Sequence, residues 1–180
     1  MKHNMLLRLF LVFAALGMLS GCVTTANSID KSANDALQVF KEQVNGSEVF
    51  LNQAAGYLVF PRVIKAGVGV GGETGEGVLR VGGSTVDYYR TASGSIGFQL
   101  GAQAKSIVIV FMTRDALDSF RQSEGWQVGV DGSVALIDIG AGKTIDSSNL
   151  RDPVVGFIFG SKGLMYNLTL EGTKFTKVER

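Results

Sequence analysis

The chain has one histidine, one cysteine, two prolines and one tryptophan among its 180 residues. The histidine is His3 and the cysteine is Cys22, so everything beyond residue 22 has neither an imidazole nor a thiol. That excludes Ser-His-Asp and Cys-His catalysis from the body of the chain. It also excludes a zinc site made from the usual cysteine and histidine ligands. A disulfide within the chain cannot form from one cysteine, so stability must come from packing. An excess of one charge is missing as well: 17 basic residues face 16 acidic ones. Neither a polybasic tail nor a nucleic-acid footprint is present. Carboxylate or lysine chemistry stays open, but nothing concentrates it. The reading is therefore of a protein that is not an enzyme and that uses no metal and no cofactor.

What is present begins with an address. Lys2 and Arg8 flank a short polar start, and residues 9–16 (LFLVFAAL) are apolar throughout. A basic start, a short apolar run and small residues before a cut describe a secretory signal peptide. The run is too short to span a bilayer, which takes about 20 residues. Leu19-Ser20-Gly21-Cys22 closes it, and this tetrapeptide resembles the bacterial lipobox, whose cysteine is acylated and becomes the mature N-terminus. The resulting division is 1–21 leader, 22–28 lipidated tether and 29–180 a single domain. Acylation at Cys22, palmitate included, would anchor the domain to a membrane. Val23 in place of an aspartate favours the outer membrane of the bacterial envelope over the inner one. Lys2 and Arg8 leave with the leader, and the remainder is close to neutral.

Along the domain, Ile29, Ala33, Ala36, Leu37, Phe40 and Val44 recur at helical spacing, with charged residues off the stripe. This predicts an amphipathic helix ending near Asn45-Gly46, packed on the domain core; the alternative is a helix lying on lipid. Ser47 is placed to cap a second short helix over 48–55. Strands dominate from 57 onward: 57–60 stopped by Pro61, then 65–71, 77–81, 85–90, 95–102 and 106–111. Thr113 caps one more helix over 114–122, with Ala116, Leu117 and Phe120 facing inward. Strands over 126–130, 134–139, 154–159, 164–170 and 174–178 complete the pattern, with Asp131-Gly132 and Glu171-Gly172 as turns. The fold class is α+β: a glycine-rich antiparallel sheet, or a barrel-like one, with an N-terminal amphipathic helix and one or two further short helices.

Six glycines crowd residues 65–79 (KAGVGVGGETGEGVL), and Gly67, Gly69 and Gly72 satisfy G-x-G-x-x-G. A dinucleotide fingerprint requires a helix immediately after the glycine turn. Here Gly75 and Gly77 fall in what would be its first turns. Gly67, Gly69 and Gly71 instead alternate with Val68 and Val70, a strand property that leaves one face bare. A bare face lets another backbone approach, or lets the sheet bend sharply. Residues 73–76 then read as the hairpin turn. Gly140-Ala141-Gly142-Lys143-Thr144 is a second decoy: a P-loop would need glycine at 137, which is Ile137.

Four ordered blocks carry a resemblance. They are GYLVFPRVIKAGVGVGGETGEGVL (56–79), SIGFQLGAQAKSIVIVFMT (95–113), GWQVGVDGSVAL (125–136) and GSKGLMYNLTLEGTKF (160–175). The chain resembles the SYLF domain family, also known as the Las17-binding actin-regulator family. The resemblance implies a phospholipid-binding module, with bacterial members typically lipoproteins of the cell envelope. Tyr166-Asn167 departs from the small residue and glycine expected there. Actin is not carried over as a partner, because an exported lipoprotein meets none.

The function implied is a cell-envelope lipoprotein whose domain binds phosphoinositide-like or other anionic lipid head groups. Basic residues beside loops are the candidates to meet lipid phosphates: Arg62 and Lys65 after Pro61, Lys105 before a strand, and Lys162 in GSKG. The alternative is a structural lipoprotein that binds another envelope protein through exposed strand edges and has no lipid ligand.

Overall fold

A computed structural model describes residues 25–138, 150–162, 170 and 172–180, apart from the side chains at 68, 69, 95–100 and 138. The leader, Cys22, Gly140–Thr144, Tyr166-Asn167 and most of the strand expected at 164–170 lie outside the described residues. So does Glu171 of the expected Glu171-Gly172 turn. The described elements run α1 (Ala26–Gln43), α2 (Ser47–Gln53), β1 (Gly56–Val81), β2 (Ser84–Phe111), α3 (Arg114–Gln122), β3 (Trp126–Gln127), β4 (Ala135–Asp138), β5 (Val154–Lys162) and β6 (Lys174–Val178). The class is α+β. The six strands form one sheet in the order β3-β6-β2-β5-β4, with β1 paired to β2. Every pairing is antiparallel except β4 with β5, which is parallel, so the sheet is mixed.

Two strands of 26 and 28 residues replace the six short ones that punctuation by glycine and proline suggests. Pro61 does not stop the first. The register slips between Phe60 and Val63, and such a bulge absorbs the N–H that proline lacks. Ser106 Oγ donates to the freed Pro61 carbonyl at 2.8 Å. Residues 73–76 do not form the turn either; they pair in mid-strand with 90–93. The hairpin turns at Gly82-Gly83, with φ of 58° and 83°. Two successive positive φ values belong to the tight turn that glycine makes without penalty.

The glycines inside β1 do something else. The strand bends so that its second half lies across its first. A Cβ on Gly77 would overlap the Val59 carbonyl oxygen and the Phe60 ring. One on Gly75 would stand 2.7 Å from the Arg62 carbonyl oxygen. One on Gly56 would stand 3.0 Å from that of Arg80, and one on Gly67 would run into Gly71. The contacts pair 56 with 80, 59 with 77, 62 with 75 and 67 with 71, the pattern of a strand folded back on itself near residue 69. The bare face serves close backbone approach and a sharp bend together. The Gly69 side of that bend lies outside the described side chains.

Folding back makes a curled sheet with two apolar faces. Inside the curl sit Leu58, Phe60, Leu79, Ile107, Ile109 and Phe111, plugged by Leu117 and Phe120 of α3 and by Trp126 and Phe175. Outside, Val59, Val78, Val108, Val110, Val155, Phe157 and Phe159 meet α1 and α2. Strands buried on both faces read as unbroken apolar runs, which is why SIVIVF and VVGFIF show no alternation. Helix α3 has the expected limits, and Thr113 Oγ1 accepts from the Ala116 amide at 3.3 Å.

The amphipathic helix packs on the protein. Ile29, Ala33, Ala36, Leu37, Phe40 and Val44 are all buried. The Phe40 ring stands 5.0 Å from Phe157 and 5.2 Å from Phe159. Asp30 ties the helix start to β2 by accepting from the Thr85 hydroxyl at 2.6 Å and the Tyr88 hydroxyl at 2.7 Å.

Two predictions follow from this packing. Phe40→Ala should lower the unfolding free energy by about 3–5 kcal/mol in urea titrations, the usual cost of emptying a phenylalanine site; a change under about 0.5 kcal/mol, typical of surface positions, would return the helix to lipid. Gly77→Leu should destabilise by at least the roughly 1–3 kcal/mol of ordinary overpacking, because backbone rather than a movable side chain blocks the space; an unchanged thermal midpoint would contradict the folded-back strand.

Candidate functional site

Register brings the four basic candidates into one band. Val63 lies opposite Lys105, Lys65 opposite Gln103, and Ala104 opposite Lys162, across β1, β2 and β5. Their environments then diverge. Arg62, in the bulge at Pro61, is exposed, as is Lys162 at the end of β5, and Lys65 is half-buried. Ile64 and Val70 on the same stretch of β1 are 41% and 69% exposed. Exposed apolar groups and the cations Arg62 and Lys162 therefore stand side by side at the bend of the long hairpin, whereas Lys65, paired with buried Gln103, lies on the inner face.

Lys105 does not share that surface. It is 3% exposed, and its Nζ lies 2.9 Å from Glu73 Oε2, itself on a residue only 5% exposed. Both project into the curl: Lys105 alternates with the core residues Ile107 and Ile109, and Glu73 alternates with Gly75, Gly77 and Leu79. A buried ammonium is tolerable only with its counter-charge, so Lys105 is a structural cation rather than a head-group ligand. Gln103 and Thr91 are buried nearby in register, so the interior is apolar toward Phe111 and polar toward the bend. Glu73 was missed as a partner because the sequence around it imitates a turn. The available signal was its place two residues before Gly75 on the bare inner face.

Elsewhere the charges are used as fasteners. Asp87 Oδ1 lies 2.5 Å from Lys177 of β6, and its Oδ2 lies 3.3 Å from Arg121 of α3. Glu76 receives Arg90 at 2.9 Å and also Arg180. The Tyr89 hydroxyl is pushed up to about 12 by burial, helped by the charge of Asp87. Among the described residues no group of three or more acidic, histidine or cysteine side chains is arranged to hold a metal ion. No described helix is long and apolar enough to cross a membrane.

Residues 92–180 match the family model described as "Ysc84: Las17-binding protein actin regulator". This stretch, comprising most of β2 and everything after it, is similar to the SYLF domain family, which is associated with lipid and protein binding. None of the curated proteins matches the chain.

The buried pair generates a prediction. Lys105→Met should cost about 3–5 kcal/mol, because it strands the Glu73 carboxylate inside the curl. Adding Glu73→Leu should recover much of that loss, since removing both charges removes the desolvation cost with them. A double variant no more stable than Lys105→Met in urea unfolding would show that the pair is not what burial charges against.

Proposed function

We propose that the chain is a lipoprotein of the bacterial cell envelope, anchored through an acylated Cys22, whose SYLF-type domain binds anionic phospholipid. The observation that carries this reading is the band at the hairpin bend, where Arg62 and Lys162 stand beside exposed Ile64 and Val70. Cations offer charge-assisted hydrogen bonds to phosphate, and apolar side chains beside them suit the boundary between head groups and acyl chains. The family match to residues 92–180 supports a lipid-binding role of the coarser kind. The LSGC tetrapeptide supports the anchor. The domain acts by binding rather than by catalysis, and the outer membrane is its place, with the domain facing the periplasm or the cell surface.

Two measurements test the proposal. In sedimentation with vesicles of phosphatidylglycerol and phosphatidylcholine, Arg62→Glu with Lys162→Glu should weaken binding several-fold per site, since a cation near an anionic surface contributes about 1 kcal/mol. Equal binding by the variant would move the contact elsewhere, and a protein that ignores every vesicle but retains an envelope protein would favour the partner-binding reading. Separately, Cys22→Ser should release the protein from membranes; a variant that still fractionates with them after a high-salt wash places the anchor at another site.

A further inference from the structure

On the side of the sheet away from the hairpin bend, a cleft of about 700 Å³ opens between α1, the end of α2 and the two ends of β1. Its polar lining comes from Asn34, Gln38 and Lys41 of α1, from Asn52, and from Arg80 beside the Gly82-Gly83 turn. Among the described residues no carboxylate lines it. The volume falls within the roughly 300–1,000 Å³ of small-molecule sites. A Cβ at Gly82 or Gly83 would have nothing within 4 Å, so the space above the turn is open.

Arg80 is the telling residue. Its side chain is only 11% exposed, yet it donates no hydrogen bond among the described residues, and its Nε is buried without a partner. Among the described residues the one carboxylate within 4 Å of it, Asp30, lies 3.9 Å away. That carboxylate is already held by the Thr85 and Tyr88 hydroxyls, and the Tyr88 pKa is raised chiefly by this bond. Asp30 therefore balances the Arg80 charge without using its donors. A largely buried guanidinium with unused donors is costly, and its planar fork matches two oxygens of a phosphate. Lys41 adds a second cation at the rim, 51% exposed and 3.5 Å from Glu48. Three side-chain amides supply both donors and acceptors, which is what hydroxyl groups need.

We propose that this cleft binds a phosphate ester of a small polyol, with the phosphate on Arg80 and the hydroxyls on Asn34, Gln38 and Asn52. The ester is either a soluble molecule or the head group of a phospholipid; the second source rests on the lipid-binding reading above, whereas the first does not. The cleft lies apart from the Arg62 and Lys162 band, so the two are separable.

The test titrates the full chain in mild detergent with glycerol 3-phosphate and with inorganic phosphate by calorimetry, and sediments it with phosphatidylglycerol vesicles. Glycerol 3-phosphate should bind saturably and more tightly than inorganic phosphate. Arg80→Met should weaken it at least tenfold and Arg80→Lys should restore part of the loss. Should Arg80→Met fail to fold, the exposed pair Asn34→Ala with Asn52→Ala carries the test: it should weaken the ester and spare inorganic phosphate. Ester binding unmoved by these variants, or no tighter than inorganic phosphate, overturns the proposal. Vesicles bound equally by wild type and cleft variants leave the lipid reading standing and remove the cleft as its head-group site. Ester binding through Arg80 with vesicles ignored keeps the cleft and removes the lipid reading.

Discussion

The structure depends on one close approach: the two halves of β1 lie so near each other that Gly77 has no room for a side chain over Val59. A 26-residue strand paired to a 28-residue neighbour would otherwise be a straight ribbon, with few residues able to bury both faces. Folding it back turns one hairpin into a curl with an inside and an outside. The inside is filled by α3 and the aromatic residues around Phe120. The outside is covered by α1 and α2. Both cores therefore depend on glycine at 56, 67, 75 and 77, where any Cβ would push the halves apart.

The same bend distributes the charges. Toward the Gly82-Gly83 turn, the strand ends meet α1 and leave the Arg80 cleft. Toward residue 69, the interior becomes polar around Lys105 and Glu73, and the exterior shows Arg62, Lys162, Ile64 and Val70. Four lysines and arginines adjacent in the sheet register thus have two different roles, assigned by which way the pleat points each one. Lys105 points inward and is fixed by Glu73. Arg62 points outward, from a bulge that Pro61 makes necessary.

Helices were legible because their signals are local. The stripe from Ile29 to Val44 and the Thr113 cap each lie within a few turns, and the observed α1 and α3 follow them closely. Strand existence was legible as well, through apolar runs at 57–60, 106–111 and 154–159. Strand continuity was not, since glycine and proline mark turns in most chains and here mark a bulge and a crossing. The Glu73-Thr74-Gly75-Glu76 stretch has a turn's composition, but its geometry is set by Arg62 and Val63, which meet Gly75 from twelve or more residues away. The parallel pairing of β4 with β5 was equally invisible, because nothing in Ala135–Asp138 specifies direction. The Lys105–Glu73 pair and the unsatisfied Arg80 are products of that long-range geometry, so neither could be read from spacing alone.

The most direct test of the folded-back strand is a nuclear Overhauser measurement on the protein labelled at Gly77 Hα and the Phe60 ring. These residues are 17 apart in sequence and belong to the same strand, so a straight hairpin would hold them about 56 Å apart at about 3.3 Å per residue. The account predicts a strong cross-peak between them. Its absence, with the β1–β2 cross-strand peaks of 77 opposite 89 and 60 opposite 107 still present, would contradict the crossing on which both cores and both candidate sites depend.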